Sequence, residues 1–80
     1  MSGYEISQNL DCKGMRCPLP VVELRKAIKN LSTGDILKIE ATDQGSKRDF
    51  ESWCRKTGNS LLESSEINGV FMYIIRKEES

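Results

Sequence analysis

Cys17 is the residue whose neighbours most clearly predict chemistry. It stands in the run "DCKGMRCPLPVVELRKAI", with Pro18 directly after it and Pro20 two residues further on. Proline is tolerated in the first turn of a helix, because the first four N–H groups there have no intrahelical acceptor. Pro18 also disfavours helical angles at the residue before it. We therefore expect Cys17 to be the N-cap of a helix that the two prolines begin.

A thiol at this position would be activated by its surroundings. We expect its sulfur to lie near the free N–H groups of Leu19 and Val21, where the positive end of the helix dipole stabilises a thiolate. Lys13 and Arg16 add positive charge close by. The alternative is that Cys17 is a small buried residue and that the prolines only start a helix. We favour the reactive thiol, because cationic neighbours and a helix start coincide here.

The other cysteines and one missing residue type limit the chemistry. The chain has three cysteines and no histidine. Cys-His catalysis therefore lacks its base and a zinc site lacks its ligand set, so we expect neither a metal nor an organic cofactor. Cys12 is either a resolving thiol for Cys17 or a strand-end residue, and we favour the latter. Cys54 falls on the apolar side of a predicted helix beside Trp53. We expect Cys12 and Cys54 to be core residues.

Two residues before Cys17 have local structural explanations. Gly14 can supply the positive φ that turns the chain back toward the helix, and Asp11 can accept loop N–H groups in an Asx-turn. We assign both to the geometry of the site and neither to catalysis.

A docking patch is predicted beside the thiol. At about 100° per residue, Leu19 and Val22 lie off the buried stripe of the helix, toward Lys26 and Lys29. Our hypothesis is that they receive a partner that exchanges a group with Cys17. Ordinary scattered surface hydrophobicity is the alternative. Arg48 and Arg55 extend the positive rim if the second helix lies beside the first, and solvated surface charge is the favoured alternative for both.

Charge and composition set the class of protein. The net charge is zero, yet residues 12–29 carry five basic side chains against one acidic, which favours anions or acidic partner surfaces. No aromatic residues alternate with that cluster, so we expect no direct nucleic-acid binding. No apolar run is long enough for a membrane span, and the first ten residues lack a basic leader and an apolar core. We expect a cytoplasmic chain with one domain, residues 1–80.

The elements that must position Cys17 can be read from periodicity and turn residues. Strand alternation covers Tyr4 to Leu10 and again "DILKIEAT", and a helical stripe from Val21 to Leu31 lies between them. A second helix, Ser46 to Thr57, has a capping-box pattern at Ser46 and Asp49 and ends before Gly58. Asn68-Gly69 between two apolar runs predicts a hairpin. We expect an α+β, two-layer sandwich, β-α-β-α-β-β, with two helices on one face of a four-stranded mixed sheet.

The pattern D-x-x-G-x-x-C-P-x-P, formed by Asp11, Gly14, Cys17, Pro18 and Pro20, resembles that of the TusA/SirA-like family of small sulfur carrier proteins. The similarity continues along nearly the whole chain. The resemblance implies the same sandwich, a sulfurtransferase in the carrier sense, and a persulfide on Cys17. It also implies donor proteins such as cysteine desulfurases or rhodaneses and relay proteins as acceptors.

The sequence leaves the pathway and the assembly open. Transfer RNA thiolation, cofactor sulfuration and sulfur oxidation all suit one exposed sulfur. A regulatory module that binds through the basic face, and a Cys12/Cys17 redox protein, are the alternative functions. Both faces of the last strand are apolar, so a monomer and a weak dimer both fit.

Overall fold

The elements follow one another in the predicted order. A computed structural model describes residues 5–16 and 19–78. Within these ranges the elements are β1 (Gln8–Cys12), α1 (Leu19–Ile28), β2 (Ile36–Ala41), α2 (Ser46–Thr57), β3 (Ser60–Ile67) and β4 (Val70–Arg76). The fold is therefore β-α-β-α-β-β, as the sequence predicts.

The four strands form one mixed sheet in the order β1-β2-β4-β3. β1 and β2 are parallel, so the chain must cross over between them, and α1 makes that crossover. The pairs β2–β4 and β4–β3 are antiparallel. The mixed four-stranded sheet is confirmed.

One core joins both helices to one face of the sheet. Alternate residues of β2, namely Leu37, Ile39 and Ala41, are fully buried and pack with Leu24 of α1 and Phe50 of α2. The intervening residues of β2 are only half-buried. The period of two places every second residue of the strand against the helices. No helix among the described residues is long and apolar enough to cross a bilayer.

β1 begins and ends later than its alternation predicts. The alternation predicts a strand that ends at Leu10, with Asp11 in a loop, whereas the observed strand runs to Cys12. Pairing with β2 explains the difference, because it continues to the pair Cys12 and Ala41. Cys12 acts as the next inward apolar residue after Leu10. Tyr4, the first residue of the predicted strand, lies outside the described residues.

The second helix begins and ends at the predicted residues, but its N-terminal cap differs from the prediction. Its N-cap is Gly45, which has no side chain to make a capping hydrogen bond, so the capping box predicted at Ser46 and Asp49 is wrong. The Ser46 side chain is buried, and its Oγ lies 2.7 Å from the Tyr73 hydroxyl. A buried hydroxyl needs a partner inside the protein, and Ser46 supplies it. The end is as predicted, with Gly58 left-handed and its N–H bonded to the carbonyl of Cys54.

The hairpin between β3 and β4 is confirmed. Asn68 and Gly69 both have positive φ, 51° and 82°, as a type I′ turn requires. Ile67 and Val70 pair directly on either side of the turn.

Candidate functional site

The candidate site is the segment between β1 and α1. Cys17 and Pro18 lie outside the described residues, and with them the predicted N-cap and the predicted site of the sulfur. The loop before them and the helix after them are described, and these two elements fix the ends of the segment that contains Cys17.

The loop before Cys17 is fixed by three hydrogen bonds. The N–H of Lys13 donates to Asp11 Oδ1 at 3.0 Å, which confirms the predicted Asx-turn. Gly14 has a φ of 82°, and a Cβ added there would meet nothing within 4 Å beyond its chain neighbours, so glycine is required for its conformation and not for space. Its N–H donates to Thr42 Oγ1 at 2.9 Å. The N–H of Met15 donates to the carbonyl of Cys12. The loop is thereby attached to the residue that follows β2.

The helix after Cys17 begins at Leu19. Pro20 stands in its first turn, as predicted, and is buried. One expected donor is not available, because the N–H of Leu19 donates to the carbonyl of Arg16 at 2.8 Å. The expectation of two free amides facing the sulfur is therefore wrong for Leu19. Pro20 has no N–H, so of these first three helical residues Val21 alone can offer one to an anion.

The cations predicted to support a thiolate are exposed. Lys13 and Arg16 both lie on the surface of the loop. The first turn of α1 contains no acidic residue, and Arg25 and Lys26 stand in its last turn. Positive charge near a helix start favours the ionised form of a neighbouring thiol. Here that charge comes from Lys13 and Arg16, because Arg25 and Lys26 stand at the other end of α1.

The predicted docking patch is partly formed. Leu19 is 51% exposed, whereas Val22 is half-buried. Val22 and Lys26 line a shallow groove of about 190 Å³ on α1, together with Arg25 and Lys29. The patch is predicted to lie toward Lys29, which follows the last residue of α1, whereas Arg25 was not part of the prediction.

Arg48 is not part of this groove. It is exposed on the first turns of α2 and lines a separate cleft with Gln44, Gly45 and Lys47. The described structure therefore groups Val22 and Lys26 in one groove and places Arg48 in another cleft, and a role of Arg48 in docking stays a prediction.

The other two thiols are part of the core, as predicted. Cys12, the last residue of β1, is fully buried, and Cys54 on α2 is 4% exposed. Burial raises the pKa of the Cys12 thiol from 9.0 to about 11, and the charges of Glu23 and Asp11 act in the same direction. Burial alone raises the pKa of Cys54 to about 11. Both thiols are free, protonated at neutral pH and shielded from solvent.

Known proteins are similar to this chain in fold and in sequence. The chain has the fold of the crystal structure of the SirA-like protein from Desulfitobacterium hafniense, with a TM-score of 0.78, 24% identity and coverage of 90% of this chain and 99% of that one. It is 42% identical over 78 residues to the sulfur carrier protein TusA of Pseudomonas putida, covering 98% of each chain. It is 41% identical over 73 residues to the sulfur carrier protein TusA of Allochromatium vinosum, covering 91% of this chain and 96% of the relative.

The family model described as sulfurtransferase TusA matches residues 8–77, from the first residue of β1 to the residue after β4. The match therefore spans every element of the sheet and both helices, including the segment that holds Cys17. With this match and two relatives at more than 40% identity over most of their length, the chain belongs to the TusA family of sulfur carrier proteins.

Proposed function

We propose that the chain accepts sulfur as a persulfide on Cys17 and passes it to partner proteins. The observation that supports this most is the state of the other two thiols. Cys12 and Cys54 are buried and hard to ionise, so Cys17 remains as the cysteine for the chemistry of a sulfur carrier.

The proposed reaction needs one sulfur nucleophile and no cofactor. The Cys17 thiolate attacks the outer sulfur of a donor persulfide, R–S–SH. A new S–S bond forms on Cys17, the S–S bond of the donor breaks, and the donor leaves as a thiolate that takes up a proton. Delivery is the reverse exchange, in which an acceptor thiolate attacks the outer sulfur on Cys17. The starting thiolate and the persulfide are both anions, so the cations Lys13 and Arg16 stabilise both forms of the carrier.

Partners reach the sulfur across the α1 groove. Exposed Leu19 stands at the start of α1, and the groove of Val22, Arg25, Lys26 and Lys29 follows along the same helix. Three cations around an aliphatic centre fit a partner with an acidic rim and an apolar anchor. Membership of the family supports cysteine desulfurases or rhodaneses as the proposed donors and relay proteins as the proposed acceptors, with the exchange taking place in the cytoplasm. The acceptor decides whether the sulfur enters transfer RNA thiolation, cofactor sulfuration or sulfur oxidation.

A Cys12/Cys17 redox pair is less well supported. A resolving thiol attacks as a thiolate from a position that its partner can reach. Cys12 has no exposed surface, and it occupies an inward position of β1 opposite Ala41. A disulfide would require it to leave the core.

Intact-mass spectrometry tests the assignment. Wild type, Cys17→Ser, Cys12→Ser and Cys54→Ser are each incubated with a cysteine desulfurase and cysteine. Wild type, Cys12→Ser and Cys54→Ser should gain one sulfur atom, and Cys17→Ser should gain none. Loading that persists in Cys17→Ser, or that is lost in Cys12→Ser while the variant remains folded, would remove the proposal.

A second experiment tests the docking surface. Leu19→Asp places an acidic charge at the start of the groove and should lower kcat/KM for exchange with a protein partner by roughly tenfold. Loading by a small-molecule persulfide should not change. Ile67→Asp is the matched control, because Ile67 is 70% exposed but lies at the β3–β4 hairpin. Equal kcat/KM for Leu19→Asp and wild type would show that partners dock elsewhere.

A further inference from the structure

The sheet has a second apolar surface, on the side away from the helices. Along β4, Tyr73 and Ile75 belong to the core under the helices. Successive side chains of a strand point to opposite faces, so Val70, Met72 and Ile74 point to the other side. Ile74 is only 2% exposed, yet it is not part of the helix-side core. Ile74 is therefore covered within the single chain, and the apolar surface that β4 offers on this face comes from Val70 and Met72, which are half-buried.

The apolar surface extends to the hairpin. Ile67 of β3 pairs directly with Val70, and direct partners share a face. Ile67 is 70% exposed, which makes it one of the two large apolar side chains that stand in solvent in the described part of the chain. We call Ile67, Val70, Met72 and Ile74 the β4 strip.

Opposite charges stand on the two sides of the β4 strip. The register pairs Ile74 with Lys38 on β2 and with Glu63 on β3. Glu63 reaches this face because the register of β3 shifts between Leu61 and Glu63. One level further along, Met72 lies between Glu40 and Ser65. At the level of Ile74 the strip thus has a cation on one side and an anion on the other.

We infer that the β4 strip seats a second copy of this chain, with the two sheets stacked face to face about a twofold axis parallel to β4. Such an axis places each β4 over the other β4 and exchanges the two sides of the sheet. Lys38 of each copy then faces Glu63 of the other, so the charge pair forms twice. Aligned sheets pack about 10 Å apart, within reach of these long side chains.

Charge balance selects a second copy over an acidic or a basic protein. A partner of one sign would attract either Lys38 or Glu63 and repel the other. A surface related to itself by this axis satisfies both, and Arg76, on the same face of β4, is paired with Glu78 of its own chain. The strip is small, and small interfaces between proteins give weak complexes, so we expect association at high protein concentration.

The arrangement leaves the carrier surfaces open. Both sets of helices face outward, and the axis keeps the strand directions of the two copies the same. The two loops that follow β1 therefore lie at the same end of the dimer. The inference depends only on the sheet, so it stands or falls separately from persulfide formation on Cys17.

Sedimentation equilibrium tests the dimer. For wild type, the mass should rise from one chain toward two as the protein approaches about 1 mM, the range in which weak complexes form. Glu63→Lys and Lys38→Glu should each weaken association by roughly tenfold or more, because like charges then face each other across the axis. The variant that combines both changes exchanges the charges and should return to within about threefold of wild type.

Two results would overturn the inference. One is a single-chain mass for wild type over the whole concentration range. The other is a combined variant that associates no better than the two single ones, which would show that Lys38 and Glu63 do not face each other. Met72→Glu provides a further check, because it places a charge within the β4 strip and should abolish the dimer. Circular dichroism confirms that each variant is folded.

Discussion

Cys12 and Cys54 should resist alkylation in the folded protein. Each pKa is raised from 9.0 to about 11. Each pH unit is a factor of ten in thiolate population, so at pH 8 the folded chain holds about one hundredth of the thiolate that an unshifted thiol would hold. Both side chains are almost without exposed surface. Labelling also requires local opening, which lowers the rate further.

Pulse alkylation with iodoacetamide at pH 8 measures this directly. Lys13, Arg16, Arg48 and Arg55 are cleavage sites that place the three cysteines in three different tryptic peptides. The rates for Cys12 and Cys54 in native protein should be at least about a hundredfold below their rates in urea. The two residues lie on different elements, β1 and α2. Local opening of one element would therefore raise the labelling rate of one cysteine and not of the other. A native rate for Cys12 within tenfold of its rate in urea would refute the reasoning and favour a redox role.

Two further predictions concern the core. Tyr73→Phe leaves the Ser46 hydroxyl buried without its 2.7 Å partner and should lower the free energy of unfolding in urea by about 1–3 kcal/mol. Adding Ser46→Ala should cost much less than it does in wild type, whereas strict additivity would contradict the hydrogen bond. The free energy of unfolding should also fall as the pH rises from 9 through about 11, because Cys12 and Cys54 ionise less readily in the folded than in the unfolded chain. The raised pKa of Tyr73 acts in the same direction, so the comparison is with Cys12→Ala plus Cys54→Ala, which should show a shallower fall. Equal slopes would contradict the burial of the thiols.

Sequence patterns predicted those parts of the fold that depend on the conformational preferences of neighbouring residues. Asn68-Gly69 requires positive φ at both residues, and Gly58 ends α2 because it accepts the left-handed conformation. The start of α2 and the end of β1 depend instead on partners distant in sequence. Ser46 turns inward because of Tyr73, 27 residues later, and β1 extends because β2 is there to pair with it.

The candidate site also has features that depend on neighbouring residues and features that depend on residues distant in sequence. The turn at Asp11, the conformation of Gly14 and the burial of Cys12 could be predicted from residue types and spacing. The bond from Gly14 to Thr42 joins residues 28 apart, and nothing near Gly14 in sequence signals it. The bond from Leu19 to Arg16 was also missed, because helix rules describe free amides without the loop carbonyl that occupies one of them.

The most direct test of the account is the pH dependence of alkylation at Cys17, followed on its own tryptic peptide in the native protein. If the helix start and the cations Lys13 and Arg16 stabilise the thiolate, the midpoint should lie roughly one pH unit or more below that of a short cysteine peptide in the same buffer. A midpoint equal to or above that of the short peptide would contradict an activated sulfur at this position.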